Sequence, residues 1–343
     1  VARQPLTLAY VFEDTPLFGG ITIALRQANL MARRGHRVKV VSPKPPPEWF
    51  DVEADFVETR GLGPGQIPEA DVTLATFWTT IEPAIAGASG EVVHYCQGFE
   101  ASYTHNTGEH SAILEAYSHR IPAFALSPHL GRLVRERFGR PFRHVPLALE
   151  PHWYAGLRLG PRRRPRILVT SPYEIDWKGV PTSLEAVKYL REGGLDCELV
   201  RLSQWPLSDA ERAIAEPDEY HEHVSPAEVP TLMRSCDLLL AASWEQEGFG
   251  MPVLEAMACG VPVVASEISA FGDFAAPAAR LVPYDDPRAF AEAAREVLTD
   301  GGLWRRMRRA GKKTAREFDE QSAADAAEEG FYWVASGAWR EEL

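Results

Sequence analysis

The sequence predicts two doubly wound α/β domains joined by a short linker, and three observations predict it. Strand-length apolar runs alternate with helix-length periodic segments, first from residue 6 and again from residue 166. Between the two series lies Gly160-Pro161-Arg162-Arg163-Arg164-Pro165, where proline and like charges discourage a packed element. Within the second series, residues 237–260 read as strand, glycine turn and helix. The expected domains are residues 1–158 and 166–320, with a closing helix over 321–343.

Length and composition agree. A chain of 343 residues is too long for one ordinary core. A hydrophobic content of 45% with 24% charged residues describes a soluble globular protein. The net charge of −12 argues against a broad nucleic-acid surface. Cys96, Cys197, Cys236 and Cys259 are far apart and form no CxxC pair, so neither a disulfide framework nor a zinc site is expected. A reducing, cytoplasmic setting fits best. No run of 18 apolar residues and no signal-peptide pattern occurs. Peripheral contact with the inner face of a membrane stays open.

In the first half, residues 6–12 form a strand, 13–20 a loop and 21–34 a helix, with Ile21, Leu25, Ala28 and Ala32 on one face. Residues 38–42 complete a βαβ unit whose first turn carries Gly19-Gly20. A glycine pair there is a tight turn in the bland reading and a set of amides facing a phosphate in the functional one; GxGxxG is absent. Residues 43–70 show little periodicity. Strands follow at 71–75, 91–95 and 123–127, and a helix starts at Ser127-Pro128. Gln97, Glu100, His105 and His110 lie in or beside the loop after the second of these strands, near the expected carboxyl edge of the sheet, where ligands bind in open α/β sheets. Solvated loop side chains are the plain alternative for each.

In the second half, residues 166–170 form a strand, 171–179 a loop ending in Lys178-Gly179, and 180–191 a helix. A strand at 197–202 precedes a polar, mixed stretch. Ser225-Pro226-Ala227-Glu228 has capping-box spacing. Helices are expected over 287–298, 303–318 and 323–339.

The strongest signal is Ser243-Trp244-Glu245-Gln246-Glu247-Gly248-Phe249-Gly250-Met251-Pro252-Val253-Leu254-Glu255. It follows the apolar strand 237–242. Gly248 and Gly250 let backbone approach a ligand. Pro252 suits the first helical turn, and a helix start favours an anion. Glu247 in the loop and Glu255 on the helix are acceptors for hydroxyls. A ligand with both phosphates and hydroxyls, such as a nucleotide sugar, suits this arrangement. A capped helix with two solvated glutamates is the bland reading. Lys178 is a fixed cation of the kind a departing diphosphate needs.

The run Gly-Phe-Gly-Met-Pro-Val-Leu-Glu-Ala-Met-Ala-Cys-Gly-Val-Pro-Val-Val resembles the signature of the retaining GT-B glycosyltransferases of family GT4, the glycosyl transferases group 1. The resemblance extends over Lys178-Gly179, the segment 224–230, Cys236-Asp237 and the segment 281–287. It is weaker in the first half, where Gly19-Gly20 matches the family's first glycine loop. Tyr95-Cys96-Gln97-Gly98-Phe99-Glu100 resembles a subset that builds rhamnose-containing polysaccharides.

The resemblance implies a GT-B fold, two Rossmann-like domains facing each other across a cleft. The first would bind the acceptor and the second a nucleoside-diphosphate sugar, and the last helix would cross back to the first. It implies transfer of a sugar to a hydroxyl of a saccharide, lipid-linked or small-molecule acceptor, with retained anomeric configuration. Glu255 would accept from ribose hydroxyls, and Glu247 would face the transferred sugar. The amides of Phe249, Gly250 and Met251 would lie near sugar and phosphate oxygens. Lys178, Gly19, Gly20 and the helix start would steady the leaving diphosphate. Gln97, Glu100 and His105 would serve the acceptor. The family usually carries an arginine five or six residues before Lys178, where this chain has Pro172 and Tyr173; the second cation is therefore missing or supplied from elsewhere, with Arg201, at a strand end, as the candidate substitute. Many members carry a histidine where Gln97 stands, with His94 three residues earlier here. No Asp-x-Asp motif stands after a strand, so neither a metal nor another cofactor is expected.

Two rival functions keep the same architecture: a non-hydrolysing sugar-nucleotide 2-epimerase and a non-catalytic nucleotide-sugar-binding protein. The long loop after Gln97 argues against the first, and the joint presence of Lys178, Glu247 and Glu255 against the second. A nicotinamide dehydrogenase lacks its GxGxxG.

Overall fold

A computed structural model describes residues 3–154 and 160–343. The chain divides into two compact units, Val1–Ala148 with Phe318–Leu343, and Leu149–Glu317. The expected boundary at residue 158 lies outside the described residues.

The first unit is built on β1 (Thr7–Val11), α1 (Gly19–Arg33), β2 (Arg37–Ser42), β3 (Asp55–Glu58), β4 (Val72–Ala75), α2 (Trp78–Gly87), β5 (Glu91–Cys96), α3 (His110–Ser118), β6 (Ala123–Ala125), α4 (Pro128–Phe138) and β7 (Phe142–His144). Among the described residues its sheet has the order β3-β2-β1-β4-β5-β6-β7, with every pairing parallel. Leu8, Ala9, Tyr10 and Val11 are all fully buried. A parallel strand covered on both faces reads as such an unbroken apolar run.

The second unit carries β8 (Arg166–Thr170), α5 (Val180–Glu192), β9 (Glu198–Ser203), α6 (Asp209–Ile214), β10 (Glu219–Glu222), α7 (Val229–Arg234), β11 (Leu238–Ala241), α8 (Met251–Ala258), β12 (Val263–Ser266), α9 (Ser269–Phe274), β13 (Arg280–Val282), α10 (Pro287–Thr299) and α11 (Gly301–Ala315). Its sheet, again parallel, has the order β10-β9-β8-β11-β12-β13 among the described residues. The strand order reverses at β8, whose Val169 is level with Leu240 of β11. The loops leaving these two neighbours therefore emerge side by side at the carboxyl edge, the crevice where such sheets bind ligands. The core beneath joins Leu184, Val187 and Leu190 of α5 to Phe290 and Val297 of α10 and to Trp304 of α11. The indole of Trp304 donates to the Asp237 carbonyl at 2.9 Å.

The linker arginines are anchored to this unit. Arg162 meets the buried Asp237 carboxylate at 3.1 Å, and Arg164 meets Asp196, Glu198 and Asp218 at 2.9–3.0 Å. The last helix, α12 (Glu320–Ala335), belongs to the first unit. Its Phe331 is fully buried with its ring edge-on to Tyr10 and Phe124.

Some elements depart from the sequence expectations. β3 falls in the stretch read as aperiodic; it is a four-residue strand with polar ends and no fully buried residue. α6 and α9 have six residues each, too short to display a helical period. The Ser225–Glu228 spacing does not start a helix at Ser225. The two side chains bond each other at 2.8 Å, and α7 begins at Val229. No helix among the described residues is long and apolar enough to cross a membrane.

Candidate functional site

The loops leaving β8 and β11 enclose a small pocket. Thr170, Ser171, Lys178, Ser183, Ser243, Glu247, Gly250, Pro252 and Phe271 are among the residues that line it. The Lys178 ammonium donates to Glu247 Oε2 at 2.7 Å, and the Ser243 hydroxyl donates to the same oxygen at 3.0 Å. Glu247 is nearly closed off from solvent, whereas Lys178 keeps about a fifth of its side chain open, at 19% against 8%. The ammonium also lies 4.2 Å from the centre of the Trp177 ring, a cation–π contact. One backbone bond, Trp244 N–H to the Trp177 carbonyl at 2.8 Å, ties the two loops together.

Two glycines make this approach possible. At Gly179, with φ +61°, a Cβ would stand 1.9 Å from the Ala242 carbonyl oxygen. At Gly250, with φ +88°, it would stand 2.2 Å from the Phe271 ring. No side chain fits either place, so the loop after β8 can press on the end of β11, and the turn into α8 can fold over Phe271. Gly250 is the N-cap of α8 and Pro252 stands in its first turn. The positive end of the helix dipole therefore opens beside Lys178, the arrangement that attracts an anion.

The other residues expected around the donor divide. Glu255 sits on α8, about one turn beyond Met251, and is 9% exposed; it is not part of the pocket lining. Gly248 and Met251 occupy the turn and the first helical position. The Phe249 side chain is core, stacked face to face on Phe274 at 4.6 Å, which leaves its backbone as the part near the turn. Arg201 is not a spare cation. It is fully buried, and its guanidinium is spent on Glu211 at 2.8 Å, on the Val169 carbonyl at 2.8 Å and on the Ser171 carbonyl at 3.0 Å. A strand position facing inward explains this: Arg201 lies level with Val169 of β8 and is closed over by α6, whose Glu211 neutralises it. Sequence reasoning gave no role to Ser171 or Ser243, since a single serine carries no spacing signal.

In the first unit, Gly19 and Gly20, expected in the loop ahead of the helix, are the first two residues of α1. A Cβ on Gly20 would meet Gln97 Oε1 at 3.2 Å, so the glycine pair and Gln97 are neighbours. That oxygen is buried with no partner among the described residues. Glu100, expected to reach an acceptor, is instead buried. Its Oε2 accepts from Tyr117 at 2.5 Å, and the same Tyr117 hydroxyl also lies 2.8 Å from the Gly98 carbonyl. Burial pushes the Glu100 carboxyl up to about 7. The cause is local: the loop turns back at Gly98, and its 3₁₀ turn Glu100–Ser102 is pinned under α3. His105 is exposed and stacks on Tyr103, with ring centres 5.6 Å apart; His110 starts α3 and is exposed. His94 is a core residue. Its ring nitrogens have no partner among the described residues, and burial first and the nearby Arg140 charge second hold its pKa well below the usual range. It stays neutral.

Known proteins resemble this chain in sequence and in fold. A family model described as Glycosyl transferases group 1 matches residues 164–300. The phosphatidyl-myo-inositol mannosyltransferase of Mycobacterium leprae is 30% identical over 164 residues, 46% of this chain and 44% of that protein. The M. tuberculosis protein of the same name is 26% identical over 346 residues, covering 89% of this chain and 90% of that one. In the first of these matches and those ranked with it, the chain spans about half the length of the curated relatives. Sucrose-phosphate synthase from Thermosynechococcus elongatus superposes with a TM-score of 0.80 at 13% identity, over 96% of this chain and 99% of that one. Anabaena HepE, solved in complex with UDP-glucose, superposes with a TM-score of 0.76 at 15% identity, over 94% and 99%. At such identities the superpositions establish the fold, two parallel-sheet α/β units of the GT-B kind.

Proposed function

We propose, for a chain that belongs through residues 164–300 to the GT4-type glycosyl transferases group 1, that it moves a sugar from a nucleoside diphosphate to a hydroxyl of a glycan acceptor with retained anomeric configuration. One observation carries the proposal: Lys178 and Glu247, 69 residues apart, are paired at 2.7 Å beside the N-terminus of α8. A cation, a carboxylate and an oriented helix start at one point suit a diphosphate and a sugar at once.

In the proposed reaction the bond from the anomeric carbon to the departing phosphate breaks. The bond to the acceptor oxygen forms on the same face, and the acceptor proton passes to the leaving phosphate. Lys178 and the α8 N-terminus stabilise the charge that gathers on that phosphate. Glu247 accepts hydroxyls of the transferred sugar, and Glu255 those of the ribose. The family resemblance assigns Gly19 and Gly20 to the diphosphate, and Gln97 and His105 to the acceptor. The mannosyltransferase names of the sequence relatives support a mannose-type donor over others. The four buried, free cysteines support a reducing compartment.

A thermal-shift panel of UDP-, GDP-, ADP- and dTDP-sugars tests the donor side, because a ligand that binds only the folded state raises the melting temperature. The expected result is stabilisation by one nucleotide class, followed by release of the nucleoside diphosphate when a glycan acceptor is added. No stabilisation by any member, with no turnover, rejects the proposal.

A further inference from the structure

We infer that Ser171 is a donor-binding residue, its hydroxyl donating to a phosphate oxygen of the nucleoside diphosphate, and that Arg201 with Glu211 is the positioning pair that holds it there. The inference rests on the proposed function of the same pocket and assigns it a residue that neither the motif nor the family resemblance names.

The starting observation is the backbone. Ser171 has φ +82°, one of two non-glycine residues with positive φ among the described residues. A Cβ makes this region unfavourable, and a residue persists there only when its surroundings over-determine it. The Ser171 hydroxyl has no hydrogen-bond partner among the described residues, and the residue lines the pocket that holds Lys178, Ser243, Glu247 and Gly250. A free hydroxyl close to an ammonium and a helix N-terminus is a donor waiting for an anion.

The constraint is also on view. The guanidinium of Arg201 grips the chain on both sides of Thr170, through the carbonyls of Val169 at 2.8 Å and Ser171 at 3.0 Å. Its third bond goes to Glu211, whose own amide is capped by the Ser208 hydroxyl at 3.2 Å. Both charged side chains are essentially sealed, at 0% and 2% exposure. A buried ion pair is a poor way to gain stability compared with apolar packing, but it fixes geometry. Here the geometry fixed is the left-handed turn that aims Ser171. The arginine that the sequence offered as a substitute ligand thus acts one step behind the ligand.

Direct binding of UDP and GDP to the purified full chain, by calorimetry, tests this with Ser171→Ala and Ser171→Gly. Ser171→Ala keeps the strained turn and loses the hydroxyl; it should bind the preferred nucleotide about tenfold more weakly with an unchanged melting temperature. Ser171→Gly relieves the strain; it should melt higher than the wild type yet bind as weakly as the alanine variant. Arg201→Lys, which keeps the charge and loses the fork, should weaken binding as well, even at temperatures far below its melting point. Wild-type affinity in both Ser171 variants overturns the inference and leaves the proposed function standing. Failure of the wild-type chain to bind either nucleotide removes both.

Discussion

The Nζ of Lys178 lies 2.7 Å from Oε2 of Glu247, and the two residues come from loops that follow adjacent strands, β8 and β11. The pair is largely shielded, with 19% and 8% of the side chains exposed. Each charge therefore depends on the other until a ligand arrives, and a diphosphate must compete with Glu247 for the ammonium.

Lys178→Ala should lower kcat/KM for sugar transfer by about 10²–10³-fold, the usual cost of removing one stabiliser of a developing anion. Glu247→Gln should lower it too, while strengthening the binding of free nucleoside diphosphate, because the ammonium is released from its carboxylate. Steady-state kinetics and calorimetry read the two effects separately. Full activity in both variants sinks the assignment.

Gly179→Ala should destabilise the second unit by about 2–4 kcal/mol, since the new Cβ meets the Ala242 carbonyl at 1.9 Å and the backbone is left-handed. Urea unfolding measures it. A variant as stable as the wild type would mean that the two loops can separate without cost.

Removing the Arg201 charge alone strands Glu211 in the core. Arg201→Met should cost about 3–5 kcal/mol, whereas Arg201→Met with Glu211→Met should recover most of that. The double variant should recover stability without recovering nucleotide affinity. Additive losses in the unfolding midpoint would show that the pair is not coupled.

Glu100 provides a pH test. Its folded carboxyl is raised to about 7, mainly by burial. The folded protein therefore holds a proton that the unfolded chain has lost, in the window between the ordinary carboxylate range and about pH 7. The stability tied to Glu100 is fully present below that window and falls away as pH rises through about 7. Glu100→Gln should remove this fall, a difference on the order of 1–3 kcal/mol between pH 5 and pH 8. Cys96 and Tyr117 face the same carboxyl and should be left intact for the comparison. Parallel pH profiles for the two proteins would refute the shift.

The two-domain fold was legible because buried parallel strands such as Leu238–Ala241 write themselves as apolar runs, and because α10 is long enough to show its period. The pocket was legible where glycines and a charge are spaced by a turn, as at Lys178-Gly179 and Glu247-Gly248. What escaped depends on direction. Nothing in the sequence tells whether Arg201 faces a ligand or the core, and the answer comes from Glu211, ten residues on in a helix too short to read. Glu100 looked available in a polar loop, but Tyr117 from α3 closes over it. Phe249 sits in the motif for its backbone, while its ring belongs to Phe274.

The first unit is assembled from two segments that flank the second, Val1–Ala148 and Phe318–Leu343, and this has a consequence for synthesis. When residue 148 leaves the ribosome, the sheet still lacks α12. Phe331 cannot yet cover Tyr10 and Phe124, and Glu328 cannot yet meet Arg34 at 2.6 Å and His36 at 3.1 Å. Domains usually complete themselves in order from the N-terminus as they emerge. Here the second unit, continuous from Leu149 to Glu317, is the first that can close, and the earlier-made half must wait with an uncovered apolar face until residues 318–343 have been made. The nascent first unit is thus the stage at which this protein most needs a chaperone.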